Sequence, residues 1–174
     1  MTMIQGGGDG DGQQRRRFQM RADLFSIGDD YWIEDEHGNK AFKVNGKAAR
    51  VRDTWVLEDP SGHEVALIRE KKLSVRDKIK IEFGDHEAVV KKELISFRDK
   101  FQVDVENGPD LEVKGKIGDH EYKIERGGKK IAEISKKWFR VRDTYGVEIA
   151  PGQNAALVLA VTVAVDALSD HGVD

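Results

Sequence analysis

The stretch AARVRDTWVL (48–57) is written again, with small changes, along the chain. KLSVRDKIKI (72–81), LISFRDKFQV (94–103) and WFRVRDTYGV (138–147) keep its order of apolar, basic, acidic and bulky apolar residues, LFSIGDDYWI (24–33) shares the pattern with Gly28 in the basic place, and GKIGDHEYKI (115–124) is a degenerate sixth copy. The shared Asp falls at 29, 53, 77, 99, 119 and 143, and spacings in this range mark repeated supersecondary units. Around the phrase the pattern has period two. Val75, Ile79 and Ile81 alternate with Arg76, Lys78 and Lys80, and Phe97, Phe101, Val103 and Val105 alternate with Arg98, Lys100, Gln102 and Asp104. The phrase Asp sits in the apolar phase, where an unpaired acid facing a core would be costly. Each phrase is therefore read as a corner, where one strand ends and the next begins. Asp favours such breaks because its side chain bonds nearby backbone N–H groups. The neighbouring Arg is expected to face solvent or a nearby Asp.

Between the corners lie turn signals. DEHG (35–38) and DPSG (59–62) place Asp first and Gly fourth, with Pro60 at the favoured second position of a type I turn. FGDH (83–86), ENGPD (106–110) and RGGK (126–129) serve the later hairpins, with Gly supplying positive φ. Six corners and five hairpins predict about twelve strands of roughly 5–6 residues. A meander of that size hides its edges by closing into a barrel, and its interior is then too wide for side chains alone. AALVLAVTVAV (155–165) is the candidate filler. Its β-branched residues point to a strand. Its length and lack of polar alternation point to a helix, which we place at 154–169, with Asn154 as N-cap after Pro151. A helix apolar on every face is buried all round, and an apolar run this short does not span a membrane.

The 174 residues suit one domain, at 18–170, behind a Gly/Arg-rich tail at 1–17 that has no apolar signal-peptide core. Arg15, Arg16 and Arg17 are read as a solvated lead-in to the first strand. The net charge of −3 leaves no overall basic field for nucleic acid. The absence of cysteine excludes disulfides, thiolate catalysis and Cys-ligated zinc.

The segments LFSIGDDYWIEDEHGNKAFKVNGK (24–47), VLEDPSGHEVALIREKKLSVRDKIKI (56–81) and ALVLAVTVAVDAL (156–168), in that order, resemble the LURP-one-related family, a branch of the tubby C-terminal-like superfamily. The resemblance implies a twelve-stranded antiparallel barrel around a central C-terminal helix, and a non-enzymatic protein. Tubby-like relatives bind phosphoinositide headgroups, and phospholipid scramblases are similar in fold. No headgroup-binding residue of those relatives is carried over to this sequence. The N-terminal and calcium-binding segments of scramblases find no counterpart, so scramblase activity is not expected.

No motif of nucleophilic, metalloprotease or phosphate-loop chemistry occurs. His37, His63, His86 and His120 lie in or beside expected turns without ligand spacing, so no metal or cofactor is expected. Trp32, Trp55, Trp138, Phe101 and Tyr145 are read as packing residues. The functional lead is basic. Lys71, Lys72, Lys91, Lys92, Lys136 and Lys137 each precede a corner, and Arg52, Arg76, Arg98 and Arg142 lie within one. If the corners gather at one end of the barrel, these form a collar for anionic phospholipid headgroups. The competing reading is that strand lysines only keep a β surface soluble. The expectation is a cytoplasmic, non-catalytic monomer that touches anionic membrane lipid at its periphery. The alternatives are a protein-interaction scaffold and an enzyme with a site at the barrel mouth.

Overall fold

The computed structural model describes residues 14–22, 30–46, 54–71, 78–93 and 100–170. Twelve strands run in sequence: β1 (Arg16–Arg21), β2 (Tyr31–Asp35), β3 (Lys40–Asn45), β4 (Thr54–Glu58), β5 (Glu64–Lys71), β6 (Lys78–Phe83), β7 (His86–Glu93), β8 (Lys100–Val105), β9 (Leu111–Lys116), β10 (Glu121–Arg126), β11 (Lys129–Ser135) and β12 (Thr144–Ile149). Each pairs antiparallel with its neighbours, and β1 pairs with both β12 and β2, so the sheet closes into a barrel. The period-two pattern is why. In β6, Ile79, Ile81 and Phe83 face inward and are buried while Lys78, Lys80 and Glu82 alternate outward.

The hairpins close as their chemistry predicts. Asp35 Oδ1 accepts the N–H groups of His37 and Asn39, both at 2.9 Å, and Asp59 Oδ1 accepts those of Ser61 and His63. Gly38 and Gly62 take the fourth position with φ of +80° and +86°. Among the described residues, then, the Asp-to-backbone bonds expected of the corners are made at hairpins. Two corners lie within the described chain, those of Asp119 and Asp143. The first is a 3₁₀ turn (Ile117–Asp119), and in the second Asp143 adopts a left-handed φ of 58°. Asp29, Asp53, Asp77 and Asp99 lie outside the described residues.

The helix α1 (Ala155–Asp170) follows β12, and the Asn154 side chain caps it by accepting the Leu157 N–H at 3.2 Å. At 1.5 Å per residue it spans about 24 Å, comparable with the roughly 17–26 Å length of strands of 5–8 residues. It is the plug of the barrel. Val158, Leu159, Ala160, Val161, Val163, Ala164 and Val165 are all buried, and the helix packs most closely on β5 and β6. Each buried Val or Leu contributes about 1.5–3 kcal/mol relative to exposure. Thr162 and Ser169 satisfy their hydroxyls on the carbonyls four residues back. Among the described residues no helix is long and apolar enough to cross a membrane.

Candidate functional site

In an up-and-down meander, alternate connections share an end. One rim of this barrel carries the connections 22–30, 46–53, 72–77, 94–99, 117–120 and 136–143; the other carries the five hairpins and the β12–α1 link. The connections on the first rim contain ten Lys/Arg against eight Asp, and those on the second contain five acids and no Lys or Arg. Of the ten corner Lys and Arg, the structure describes Lys136, Lys137, Arg140 and Arg142, which share the 136–143 connection; the others lie outside the described residues. Arg15, Arg16 and Arg17 begin β1 at the opposite end, where they bond Glu148 and the Gln153 carbonyl.

The basic pairs divide at the strand. Lys91 and Lys92 are consecutive in β7, so only one can face out. Lys91 is in the outward phase and bonds Asp104 of β8; Lys92 follows the inward phase of Ala88 and Val90. In register, Lys71 of β5 stands beside Lys78 of β6, and Lys78 beside Lys91. Lys136 and Lys137 occupy a 3₁₀ turn (Lys136–Trp138), where strand phase does not separate them, and both are exposed. Lys137 bonds Glu133 at 3.0 Å and lies 5.0 Å from the Trp138 ring centroid. Arg142 is 95% exposed, with its Nε 3.6 Å from Asp143. Arg52, Lys72, Arg76 and Arg98 lie outside the described residues.

The outer wall is charged but neutralised across strands. Lys80 bonds Glu87 at 2.8 Å and Glu82 at 3.2 Å, and Lys114 bonds Glu112 at 2.8 Å and Glu125 at 3.3 Å. These bonds hold both ammonium groups above their ordinary pKa, Lys80 chiefly through Glu87 and Lys114 chiefly through Glu112. Glu125 is held low chiefly by Lys123, and Glu133 by Lys130. These wall lysines are therefore engaged by acids on their own or neighbouring strands.

The corner 136–143 is the most basic described part of the first rim, and its shape is fixed by packing. Trp138 and Phe139 fold back on Gly146 of β12, so closely that a Cβ there would lie 2.8 Å from Trp138 and 3.0 Å from Phe139. The Arg17 guanidinium covers Trp138 at 5.2 Å. Ser135 Oγ accepts the Lys137 N–H, Thr144 Oγ1 donates to the Val141 carbonyl at 2.7 Å, and the Asp143 carbonyl accepts the Ala22 N–H at 2.8 Å. The loop so held displays Val141, 58% exposed and the one exposed large apolar side chain among the described residues. Behind it a crevice of about 420 Å³ runs over the β1–β2 seam, lined by Gln19, Arg21, Trp32, Glu34, Val141 and Arg142. Along that seam β1 pairs with β2 at Phe18–Asp35 and Gln19–Glu34.

A family model described as LURP-one-related matches residues 16–166. The chain belongs to the LURP-one-related family. It is 26% identical over 148 residues to an uncharacterized Bacillus subtilis (strain 168) protein, YxjI, covering 84% of this chain and 90% of that one. An Arabidopsis thaliana protein solved by X-ray crystallography superposes with a TM-score of 0.59 at 18% identity, over 92% of this chain and 93% of that one, which shows the shared fold.

Beneath the rim this LURP-one-related barrel holds a polar cluster that the sequence reading dispersed among turns and packing residues. Tyr145 Oη donates to Asp166 Oδ2 of α1 at 2.5 Å. His120, from the 117–120 corner, stacks on the Tyr145 ring with centroids 4.3 Å apart, and its Nε2 is 3.6 Å from Asp166 Oδ1. Burial pushes the Tyr145 and Tyr122 hydroxyls well above their ordinary pKa, and the Asp166 charge adds to it. One signal pointed there: an Asp inside a helix destined for a core needs a partner. Among the described residues no group of three or more His, Asp or Glu is placed to hold a metal ion.

Proposed function

We propose that this protein is a non-enzymatic domain that docks its corner rim on an anionic phospholipid surface. The observation that carries the reading is the segregation of charge between the two sets of connections in the sequence: every Lys and Arg among the connections falls in the corner set, of which Lys136, Lys137, Arg140 and Arg142 are described. A chain of net charge −3 is repelled by such a surface unless it is polar in this way, with the acidic hairpins turned outward. Each rim charge near the surface contributes on the order of 1 kcal/mol, falling off within a Debye length. A non-enzymatic role is supported by the packing of the titratable cluster. Tyr145 is 0% and Asp166 7% exposed, so their polar atoms hold α1 rather than face a cleft.

Flotation with vesicles of phosphatidylserine in phosphatidylcholine tests the reading. Binding is expected to anionic but not to neutral vesicles, and to be lost near 0.5 M salt, where screening shortens to a few Å. Lys136→Glu with Arg140→Glu is expected to weaken it by about tenfold or more. Glu36→Gln, on the opposite rim, should leave it unchanged. Equal recovery on neutral and anionic vesicles, or none at low salt, overturns the proposal.

A further inference from the structure

The corner 136–143 differs from a merely basic loop in two respects. It sets its exposed apolar side chain between two arginines, Arg140 and Arg142, and it is held rigidly by the contacts of Trp138, Phe139, Asp143 and Thr144. An exposed Val on a solvent loop is an ordinary occurrence. An exposed Val fixed at the tip of a braced loop, flanked by guanidinium groups and standing over a crevice with a third Arg, is arranged for a boundary that is apolar on one side and anionic on the other.

We propose that the Arg140–Val141–Arg142 tip enters the headgroup layer of an anionic bilayer, with Val141 at the acyl boundary and the crevice behind it receiving one lipid phosphodiester between Arg142 and Arg21. The inference rests on the docking function proposed above and names its contact point and ligand class. Arg142 and Arg21 both line the crevice, Gln19 adds an amide donor, and Trp32 gives it an amphipathic ring suited to the interface. Glu34 shares the crevice, and its carboxylate disfavours a polyphosphorylated headgroup. Because the loop is already ordered, insertion loses little backbone freedom, which is how preorganisation raises affinity.

The chain has no cysteine, so Val141→Cys can carry a single environment-sensitive fluorophore, with Ser61→Cys on the opposite rim as the control. The label at 141 is expected to shift to the blue on phosphatidylserine vesicles and the label at 61 to stay unchanged. Val141→Ser, which alters no charge, should weaken vesicle binding by about fivefold, the share of an order of magnitude expected for withdrawing one partly buried apolar side chain. Arg142→Gln should weaken it and lower its salt dependence. Vesicle binding with no shift at 141 and no effect of Val141→Ser overturns this contact point while leaving the docking function standing. No binding by any form of the protein overturns both. Displacement by millimolar glycerophosphoserine without vesicles assigns the crevice to a free headgroup and overturns insertion in a bilayer.

Discussion

Asp166 shows at the scale of one residue how a single polar atom fixes the end of a helix. It is 7% exposed, in a helix that is otherwise almost wholly apolar before its last turn, and its oxygens are met from two other elements: Oδ2 by the Tyr145 hydroxyl of β12, Oδ1 by His120 of the 117–120 corner at 3.6 Å. A buried carboxylate without such donors would be strongly destabilising. With them it sets the rotation and depth of α1, because a turn of one residue would move the carboxylate away from both. Tyr145→Phe keeps the ring and its stacking but removes the donor. The expected cost is about 1–3 kcal/mol, the penalty for stripping one partner from a buried acceptor. Urea unfolding measures it, and a loss below about 0.5 kcal/mol would show that Asp166 is satisfied without Tyr145. Gly146 sits at the same scale on the outer face. Gly146→Ala drives a methyl to 2.8 Å from Trp138 and 3.0 Å from Phe139. The outcome expected is a loss of about 1–3 kcal/mol from overpacking, with release of the 136–143 corner readable as a rise in Trp138 solvent accessibility.

At the scale of an element, α1 is a plug confined by a closed wall, and confinement has its own signature. Leu159→Ala should cost about 2–5 kcal/mol by leaving a cavity the barrel cannot collapse into. Ala160→Leu adds apolar surface yet should also destabilise, by about 1–3 kcal/mol, because Ala160 is 0% exposed against strands that cannot retreat. On a helix lying over the outside of the barrel the second change would be neutral or stabilising, so thermal unfolding of the pair separates the two arrangements. The helix, the twelve strands and the closed barrel were legible in the residues because each follows from local rules: period two in β6, Asp and Gly at fixed turn offsets in 35–38 and 59–62, an all-apolar run behind Asn154. The side on which a lysine would fall was less so. Lys91 and Lys92 read as one basic pair along the chain, but strand phase sends them to opposite faces, and the Asp104 that engages Lys91 arrives from a neighbouring strand thirteen residues away. The Tyr145–Asp166–His120 cluster joins residues far apart in sequence; Asp166 within an apolar helix signals that a partner is needed, but no local pattern names Tyr145 or His120 as that partner. Trp138 resembled a packing residue and is one, though it packs outside the barrel, over Gly146 and under Arg17.

The whole molecule balances two populations of ionisable groups, and its dependence on pH follows from them. On the wall and in the turns, carboxylates are held below their ordinary pKa. The His63 N–H does this first for Asp59, Lys114 for Glu112, Lys123 for Glu125 and Lys130 for Glu133; for Glu148 partial burial pulls the other way, and Arg17 with Arg15 overcomes it. Such groups bind protons more weakly folded than unfolded. The unfolded chain therefore takes up protons first as pH falls past about 4, and the stability these groups contribute, intact above that value, is lost through their lower folded pKa values. In the interior the sign reverses. Tyr122 and Tyr145 hold their protons more tightly folded, first because they are buried, and Lys80 and Lys114 do so outside through their glutamates. Their contribution is whole below about pH 10, where unfolded Tyr and Lys begin to ionise, and falls above it. The expected profile is a plateau between about pH 5 and 9 with an acid limb set by many small surface terms and an alkaline limb set largely by two tyrosines. Salt separates the limbs, since screening weakens exposed pairs but hardly touches buried hydroxyls. Urea midpoints across pH, at low and high salt, should show the acid limb shrinking with salt and the alkaline limb unmoved. The chain holds three tyrosines, so absorbance near 295 nm reports directly: Tyr122 and Tyr145 should ionise only as the barrel opens, in step with the loss of β-sheet circular dichroism. Ionisation of all three before any change in circular dichroism would mean that the rim admits water to the cluster under α1, and that the plug does not seal the barrel at the end proposed to face the membrane.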